Sequence, residues 1–389
     1  MTGRPRLVTP RFVLVVAAGV CYFLALGVVL PEVPRYVKGE LGGGSLAVGI
    51  AVGVLFVGAV LVRPFAGRIG DRRGRKVLIV SGALVVAVSL LGYSLADSVG
   101  ALIVARFCTG LGEAAFFVGA ATMITDLAPV QRRGEAISYW SIAVYSGFAF
   151  GPIIGEWVQD VWGYTTLWFV AAGFAFASAA LGCATREVDR VAHAGPPQPL
   201  INRRALGPGA VLFSGLVATA AFGAFVPLYG EDVGFTDVAV VFTVFGLLVL
   251  GVRIFGARLP DVLGASRAGT VALVATAAGM GVMAVWASAV GLMTGVVVFA
   301  IGSAFMYPAM LLMALEGSTE ADRGSAVGTI SSCFDLSQGV GALLVGAAAA
   351  AAGYRAAFAT GAVAAAVGVV VLWRWVVPRL ARARLADRA

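Results

Sequence analysis

The chain has 389 residues, of which 60% are hydrophobic and 12% charged; its mean hydropathy is +0.95 and its formal net charge +8. Soluble domains carry about 25% charged residues, so this composition excludes an ordinary soluble globular protein. Apolar runs of about 20 residues recur with short breaks, and a helix of that length crosses the hydrocarbon of a bilayer.

In chain order the runs predict spans at 12–33, 45–66, 77–96, 99–124, 134–157, 164–184, 208–229, 236–257, 268–288, 290–314, 325–348 and 354–377. The expected fold class is therefore an all-α membrane protein with twelve transmembrane helices. An N-terminal six-helix bundle, 1–184, is joined by a Pro-rich linker, 185–207, to a C-terminal six-helix bundle, 208–389. If the N-terminus is cytoplasmic, the loops on that side receive every Lys and Arg except Arg35, Lys38 and Arg355, with Arg106 inside a span. That asymmetry is the positive-inside pattern, which puts both termini in the cytoplasm. The basic balance is thus a topology signal, and no nucleic-acid partner is expected.

The first span is too long for a cleaved signal peptide. Cys21, Cys108, Cys183 and Cys333 all fall in spans at spacings unlike a metal site and read as small packing residues. The only histidine, His193, lies in the linker. No metal site, no cofactor and no catalytic constellation are expected, so the chain is not read as an enzyme.

Between the second and third spans runs Gly67-Arg-Ile-Gly-Asp71-Arg72-Arg73-Gly74-Arg75-Lys76, read as a charged turn. A weaker copy, Arg258-Leu-Pro-Asp261-Val-Leu-Gly264, follows 190 residues later. The same offset carries Arg63 onto Arg253, Gly112 onto Gly302, Asp126 onto Glu316 and Gly163-Tyr164 onto Gly353-Tyr354. A constant register over so long a stretch is the mark of an internal duplication, the build of many secondary transporters. In the turn, Gly67 is expected to allow close helix approach and Gly74 a tight backbone turn. Asp71 can cap a helix or pair with an arginine, and Asp126 can pair with Arg75 or Arg132.

Three segments carry a family likeness. Gly67–Lys76 resembles the signature that the major facilitator superfamily places between its second and third helices. Arg106-Phe-Cys-Thr-Gly-Leu-Gly-Glu113 resembles its fourth-helix motif, and Gly147-Phe-Ala-Phe-Gly151-Pro152-Ile-Ile-Gly155 the fifth-helix motif of its exporters. The resemblance covers nearly the whole chain and implies two bundles around a central cavity, alternating access and a monomer in a lipid bilayer. It gives the Asp71 region, with Gly67, Arg72, Gly74, Arg75, Asp126 and Arg132, a gating role, and gives Arg106 a part in proton coupling. Gly147, Gly151, Pro152 and Gly155 imply an antiporter. The motif departs from the family pattern at Glu156, where a glycine is usual.

Ionisable residues inside spans are costly and mark function by default. Glu113 lies nearly two helical turns from Arg106 on one face, with Gly110 and Phe117. Asp335 sits near the middle of the eleventh span, with Ser331, Ser332 and Gln338 along its face. By the 190-residue offset Glu113 maps onto Ser303 and Asp335 onto Tyr145, so the charges are not duplicated. Arg106, Glu113 and Asp335 are the candidates for proton coupling, with sodium as the second ion. Tyr22, Phe116, Tyr139, Trp140, Tyr145, Phe222, Phe225, Tyr307 and Gln338 are candidate cavity residues for a bulky, partly apolar substrate. Trp157, Trp162 and Trp168 read as membrane-interface anchors.

No Gly-x-x-x-x-Gly-Lys-Ser/Thr segment occurs, so the energy is expected from a gradient and not from ATP. The function that follows is secondary active transport: a proton-coupled antiporter exporting small organic molecules. The competing reading is a proton-coupled importer of a sugar or organic acid.

Overall fold

The structure is a computed structural model that describes residues 7–129, 132–187, 201–235, 237–256, 263–316 and 323–380; at Asp71 and Arg323 only the backbone belongs to that set. His193 and Asp261, singled out in the sequence, lie outside the described residues. The elements are helices: α1 Pro10–Val29, α2 Glu32–Lys38, α3 Ser45–Arg73, α4 Arg75–Tyr93, α5 Val99–Leu127, α6 Arg133–Ala184, α7 Leu206–Asp232, α8 Val238–Phe255, α9 Ala265–Val285, α10 Ala289–Leu315, α11 Arg323–Ala352 and α12 Tyr354–Val371. A π-helical turn, Leu372–Val376, continues α12.

Among the described residues, 11 helical segments are long and apolar enough to cross a membrane, α1 and α2 together making one of them. The 52-residue α6 breaks at Gly163, where φ is 76° and ψ 177°, so it holds the fifth and sixth spans end to end. With that break the expected twelve spans are present. The interruption falls at Gly163 and not at Pro152, which the helical backbone passes inside α6.

The duplication appears in the local chemistry of the chain. Ser98 caps α5 by accepting from the Ala101 N–H at 3.3 Å, and Ser288 caps α10 by accepting from the Gly291 N–H at 3.0 Å. The left-handed glycines Gly74 and Gly264 (φ 101° and 81°) occupy equivalent helix starts, as do Gly163 and Gly353 (φ 76° and 80°). Each serine supplies an acceptor for an otherwise orphaned helix N–H, and each glycine takes a backbone angle that side chains disfavour. A sequence echo thus reappears as the same caps and turns.

Four expectations need correction. The charged segment 67–76 is mostly helix: α3 runs to Arg73, α4 starts at Arg75, and Gly74 alone breaks the run. Polar residues do not end a helix by themselves, whereas a glycine at positive φ does. Gly67 has no neighbour within 4 Å of where a Cβ would stand; the tight position is Gly70, where a Cβ would lie 2.8 Å from Leu78 Cδ1. Trp168 is not an interface anchor. It is 1% exposed and packs edge-on against Tyr36 and Tyr93, stacked on Tyr164, while Trp157 and Trp162 are 58% and 53% exposed. Of the cysteines, Cys183 is exposed rather than packed, while the Cys333 sulfur fills the space beside Gly209.

By contact the chain divides into two compact units. The first comprises the described residues of Met1–Gly42 and Val54–Ala192, the second those of Gly43–Gly53 and His193–Ala389. The start of α3 therefore belongs to the second unit: Gly49 and Gly53 lie on the backbone of Ala342, Gly346 and Gly339 in α11. The core of the second unit gathers Leu212, Leu216, Leu273, Met306, Met310 and Ile330.

In the first unit α1 and α6 touch backbone to backbone. A Cβ on Gly151 would stand 2.5 Å from Gly27 Cα and 2.8 Å from the Val28 nitrogen; one on Gly147 would meet Phe23, and one on Gly155 the Val28 carbonyl. Without a hydrophobic drive between helices in lipid, such small-residue seams supply the packing that holds spans together. Gly173, also in α6, has nothing within 4 Å. Gly151→Val should therefore lower the thermal unfolding midpoint of the purified protein, the overpacking costing about 1–3 kcal/mol or more. Gly173→Ala should leave the midpoint unchanged or raise it. Equal midpoints for the two variants would remove the seam from the account of stability.

Candidate functional site

The fourth span, α5, carries Glu113 in the buried interior of the first unit, where the residue is 9% exposed. α3 brings Arg63 to it: Arg63 Nη2 donates to Glu113 Oε2 at 3.3 Å, and the two side chains are 11% and 12% exposed. The guanidinium carbon also lies 5.1 Å from the centre of the Phe117 ring. This placement is set by the glycines between the helices. Gly58 sits on the Phe107 carbonyl, and Gly110 on the Leu55 backbone, which lets α3 and α5 approach closely enough for a pair one side chain long on each side. A buried charge is tolerated when it is paired, and an arginine over an aromatic face gains further attraction.

Aromatic rings surround the pair. Tyr22 of α1 stacks on Phe116 with centroids 3.7 Å apart and planes 9° apart. Phe23 meets Phe117 and Trp140 edge-on at 6.5 and 5.3 Å, and Phe117 meets Trp140 at 5.6 Å. Tyr22 Oη is buried with no hydrogen-bond partner and lies within electrostatic reach of Glu113 and Arg63. An orphaned hydroxyl in such a setting is costly, and it offers a hydrogen bond to whatever enters. Arg106 is 6% exposed on α5, two turns before Glu113. The carboxylate is held from the neighbouring span by Arg63, which the charge distribution counts among the basic residues of the cytoplasmic side. The missed signal was its setting: Arg63 stands in the apolar run Ala59-Val-Leu-Val-Arg-Pro-Phe, inside the helix rather than beyond it.

At the α3–α4 junction Arg75 Nε lies 3.4 Å from Asp126 Oδ2, one of the two pairings open in the sequence. Arg132 pairs instead with Glu135, three residues on, through Nε and Nη2 at 2.9 and 2.8 Å. The start of α4 carries a carboxylate on its first N–H groups. Glu187, just past α6, accepts from the backbone N–H groups of Arg75 and Lys76 at 2.9 and 3.0 Å, and Lys76 Nζ donates to the Cys183 carbonyl at 2.6 Å. A carboxylate on the first N–H groups of a helix satisfies orphaned donors and meets the positive end of the dipole. The Asp71 side chain lies outside the described set.

In the second unit Asp335 is 1% exposed on α11, and Gln338 Oε1, a turn away, is buried without a hydrogen-bond partner. Ser337 Oγ donates to the Phe213 carbonyl at 2.7 Å, and the Tyr307 and Ser331 hydroxyls lie 3.3 Å apart. Phe222 and Phe225, expected at a cavity, are packing residues. Phe222 sits among Phe242, Phe245 and Phe299 at 4.6–5.3 Å, and Phe225, fully buried, stacks on Tyr354. Tyr22 and Phe116 are likewise fully buried, whereas Tyr139, Tyr145 and Tyr307 are part-exposed. Position along a helix does not reveal which way a ring turns, because aromatic rings suit a core and a cavity equally well.

Comparison with known proteins gives one consistent answer. The chain matches the Major Facilitator Superfamily over residues 15–294 and again over 209–389. It is 28% identical over 367 residues to an uncharacterized MFS-type transporter of Burkholderia mallei (strain SAVP1), covering 90% of this chain and 88% of the relative. A similar protein of Salmonella typhimurium is 27% identical over 370 residues, 90% of this chain and 92% of the relative. Among solved structures, the nucleoside transporter NupG superposes with a TM-score of 0.73 at 14% identity, covering 93% of this chain and 98% of its own. The human organic anion transporter MFSD10 (TETRAN) gives 0.72 at 17%, with 94% and 100% covered. At these identities the structures speak for the fold alone.

Removing one partner of a buried ion pair leaves the other uncompensated, at a cost of about 3–5 kcal/mol. Arg63→Met and Glu113→Gln should therefore each lower the unfolding midpoint of the purified protein markedly, and the double variant should recover most of the loss. Losses that simply add in the double variant would mean that the two side chains do not act as a pair.

Proposed function

Because the chain belongs to the major facilitator superfamily and is a multi-pass membrane transporter, not an enzyme, we propose that it is a proton-coupled antiporter. It exports small organic molecules by alternating access, as a monomer in the cell membrane with both termini cytoplasmic. The observation that carries this reading is the buried Arg63–Glu113 pair among aromatic rings within membrane spans. The fifth-span glycine motif supports the direction of transport, and the distribution of Lys and Arg supports the orientation.

The chemistry follows from the pair. With Glu113 ionised, the site is balanced by Arg63. A proton on Glu113 neutralises the carboxylate and weakens the bond to Arg63, leaving the guanidinium held by the Phe117 face. Loss of that proton restores a carboxylate that a planar organic cation, lying on the flat aromatic surface, can take over from Arg63. Proton and substrate thus compete for one carboxylate, and competition of this kind couples two opposed fluxes. Asp335, buried in its own unit, is the second acid assigned to coupling, with protons preferred over sodium. The gating role goes to the α3–α4 junction, where Arg75–Asp126 and the Glu187 cap tie three helices together.

A second reading has one observation in its favour: Glu156 stands where the exporter motif of the family has a glycine. An importer of a sugar or organic acid would tolerate that change.

Everted membrane vesicles acidified inside and challenged with planar aromatic cations such as ethidium separate the two. Uptake above the level of empty vesicles, with partial collapse of the pH gradient, is expected for the wild-type protein, and both should fall to background in Glu113→Gln. Glu113→Asp, which keeps the charge, should retain part of the activity. Inward flux of a sugar or organic acid into intact cells, driven by an inward proton gradient, would replace export by import.

A further inference from the structure

The motif departure at Glu156 has a structural counterpart at the far end of the first unit. Glu32, the first residue of α2, is 0% exposed. Its Oε1 accepts from Arg35 Nη1 at 3.2 Å, and the same nitrogen donates to Glu156 Oε1 at 3.0 Å. The side chains of Arg35 and Glu156 are 14% and 16% exposed. Glu32 Oε2 is buried and has no hydrogen-bond partner. The α1–α6 seam produces this meeting: Gly155 lies on the Val28 carbonyl, at the end of α1, and so delivers the next residue, Glu156, to the α2 guanidinium.

Two carboxylates here face one guanidinium nitrogen, and Asp160, exposed one helical turn beyond Glu156, adds to the negative field on Glu32. On its own side α2 carries Arg35 and, exposed at its end, Lys38. Tyr36 is turned away towards Tyr164 and Trp168, its hydroxyl donating to the Ala96 carbonyl, with Glu40 and Asp97 acting on it there. The cluster as it stands holds one negative charge too many for a buried site, and the unpartnered oxygen is on the most buried member. Burying an unbalanced charge is expensive, and the molecule avoids that cost by neutralising the group.

We infer that Glu32 is a proton-binding site, distinct from the Arg63–Glu113 pair, and that it holds one exchangeable proton because Arg35 is shared with Glu156. The site is created by the glutamate that replaces the motif glycine: with no acid at 156, Arg35 alone would balance Glu32 as a simple pair. The inference rests on the first unit by itself and stands whether the transporter exports or imports.

Infrared difference spectroscopy of the purified full-length protein between about pH 6 and about pH 8.5 reads this proton directly, because exposed carboxyls titrating near 4 are almost fully ionised throughout that window. The wild-type protein should show a carboxylic-acid carbonyl band that disappears as pH rises. Glu32→Gln should lose one carboxyl's worth of that intensity, and so should Glu156→Gln, in which Glu32 regains a full partner and ionises. Glu113→Gln should keep the Glu32 component. Circular dichroism and gel filtration of each variant check that the fold is retained. Wild-type band intensity in Glu32→Gln overturns the proposal, as does an undiminished band in Glu156→Gln. Suppression of the wild-type band by sodium, but not by choline, overturns it in favour of a metal cation at the same oxygens.

Discussion

Close contact between helix backbones is the constraint on which the first unit depends. In lipid the apolar side chains of a span gain little from meeting one another, so spans stay together through van der Waals contact and the few polar bonds they can share. Gly27, Gly147, Gly151 and Gly155 remove the side chains that would hold α1 and α6 apart, and Gly58 and Gly110 do the same for α3 and α5. Two of the buried polar arrangements in this unit sit beside such a seam. The Arg63–Glu113 pair spans the α3–α5 contact, and Arg35 meets Glu156 where the α1–α6 contact ends.

The dependence runs in both directions. A carboxylate inside a span must be paired or neutral, and the geometry that permits pairing is narrow: 3.3 Å between Arg63 and Glu113 leaves no room for a separation of the helices by one side chain. A seam that loosened would cost dispersion contacts and strand a charge together. Buried ion pairs are weak contributors to net stability but strong selectors of one arrangement over its neighbours.

The duplicated architecture was legible in the sequence because several of its markers are punctuation: Gly74, Gly163, Gly264 and Gly353 adopt backbone angles that few residues tolerate, and the structure adds the matching Ser98 and Ser288 caps. Such residues act through their own local backbone, so a one-dimensional offset captures them. The spans were legible for a similar reason, since length and hydropathy set them. Partners were not. Arg63 reads as the first member of a basic cluster until α3 is seen to continue past it, and Glu187 reads as linker until its carboxylate is found on the α4 N–H groups. Ring orientation escaped as well: Trp168 and Phe225 have the composition of interface and cavity residues, and both are spent on the core.

The offset that reveals the repeat also isolates what has diverged. Arg63 keeps its mate in Arg253, near the end of α8, yet Glu113 corresponds to Ser303, so the arginine position is duplicated and the acid position is not. Its buried acid, Asp335, sits on a different helix and at the position that Tyr145 takes in the first unit. Gene duplication gives two equal sets of helices, but two equal sets of buried charges would repeat the same desolvation cost without adding a new property. The acid stands on a different helix in each unit: aromatic rings gather beside the Arg63–Glu113 pair, whereas Asp335 lies a turn from the buried Gln338 amide on α11. The two buried acids therefore stand on non-equivalent helices, which a strictly symmetric duplication would not produce.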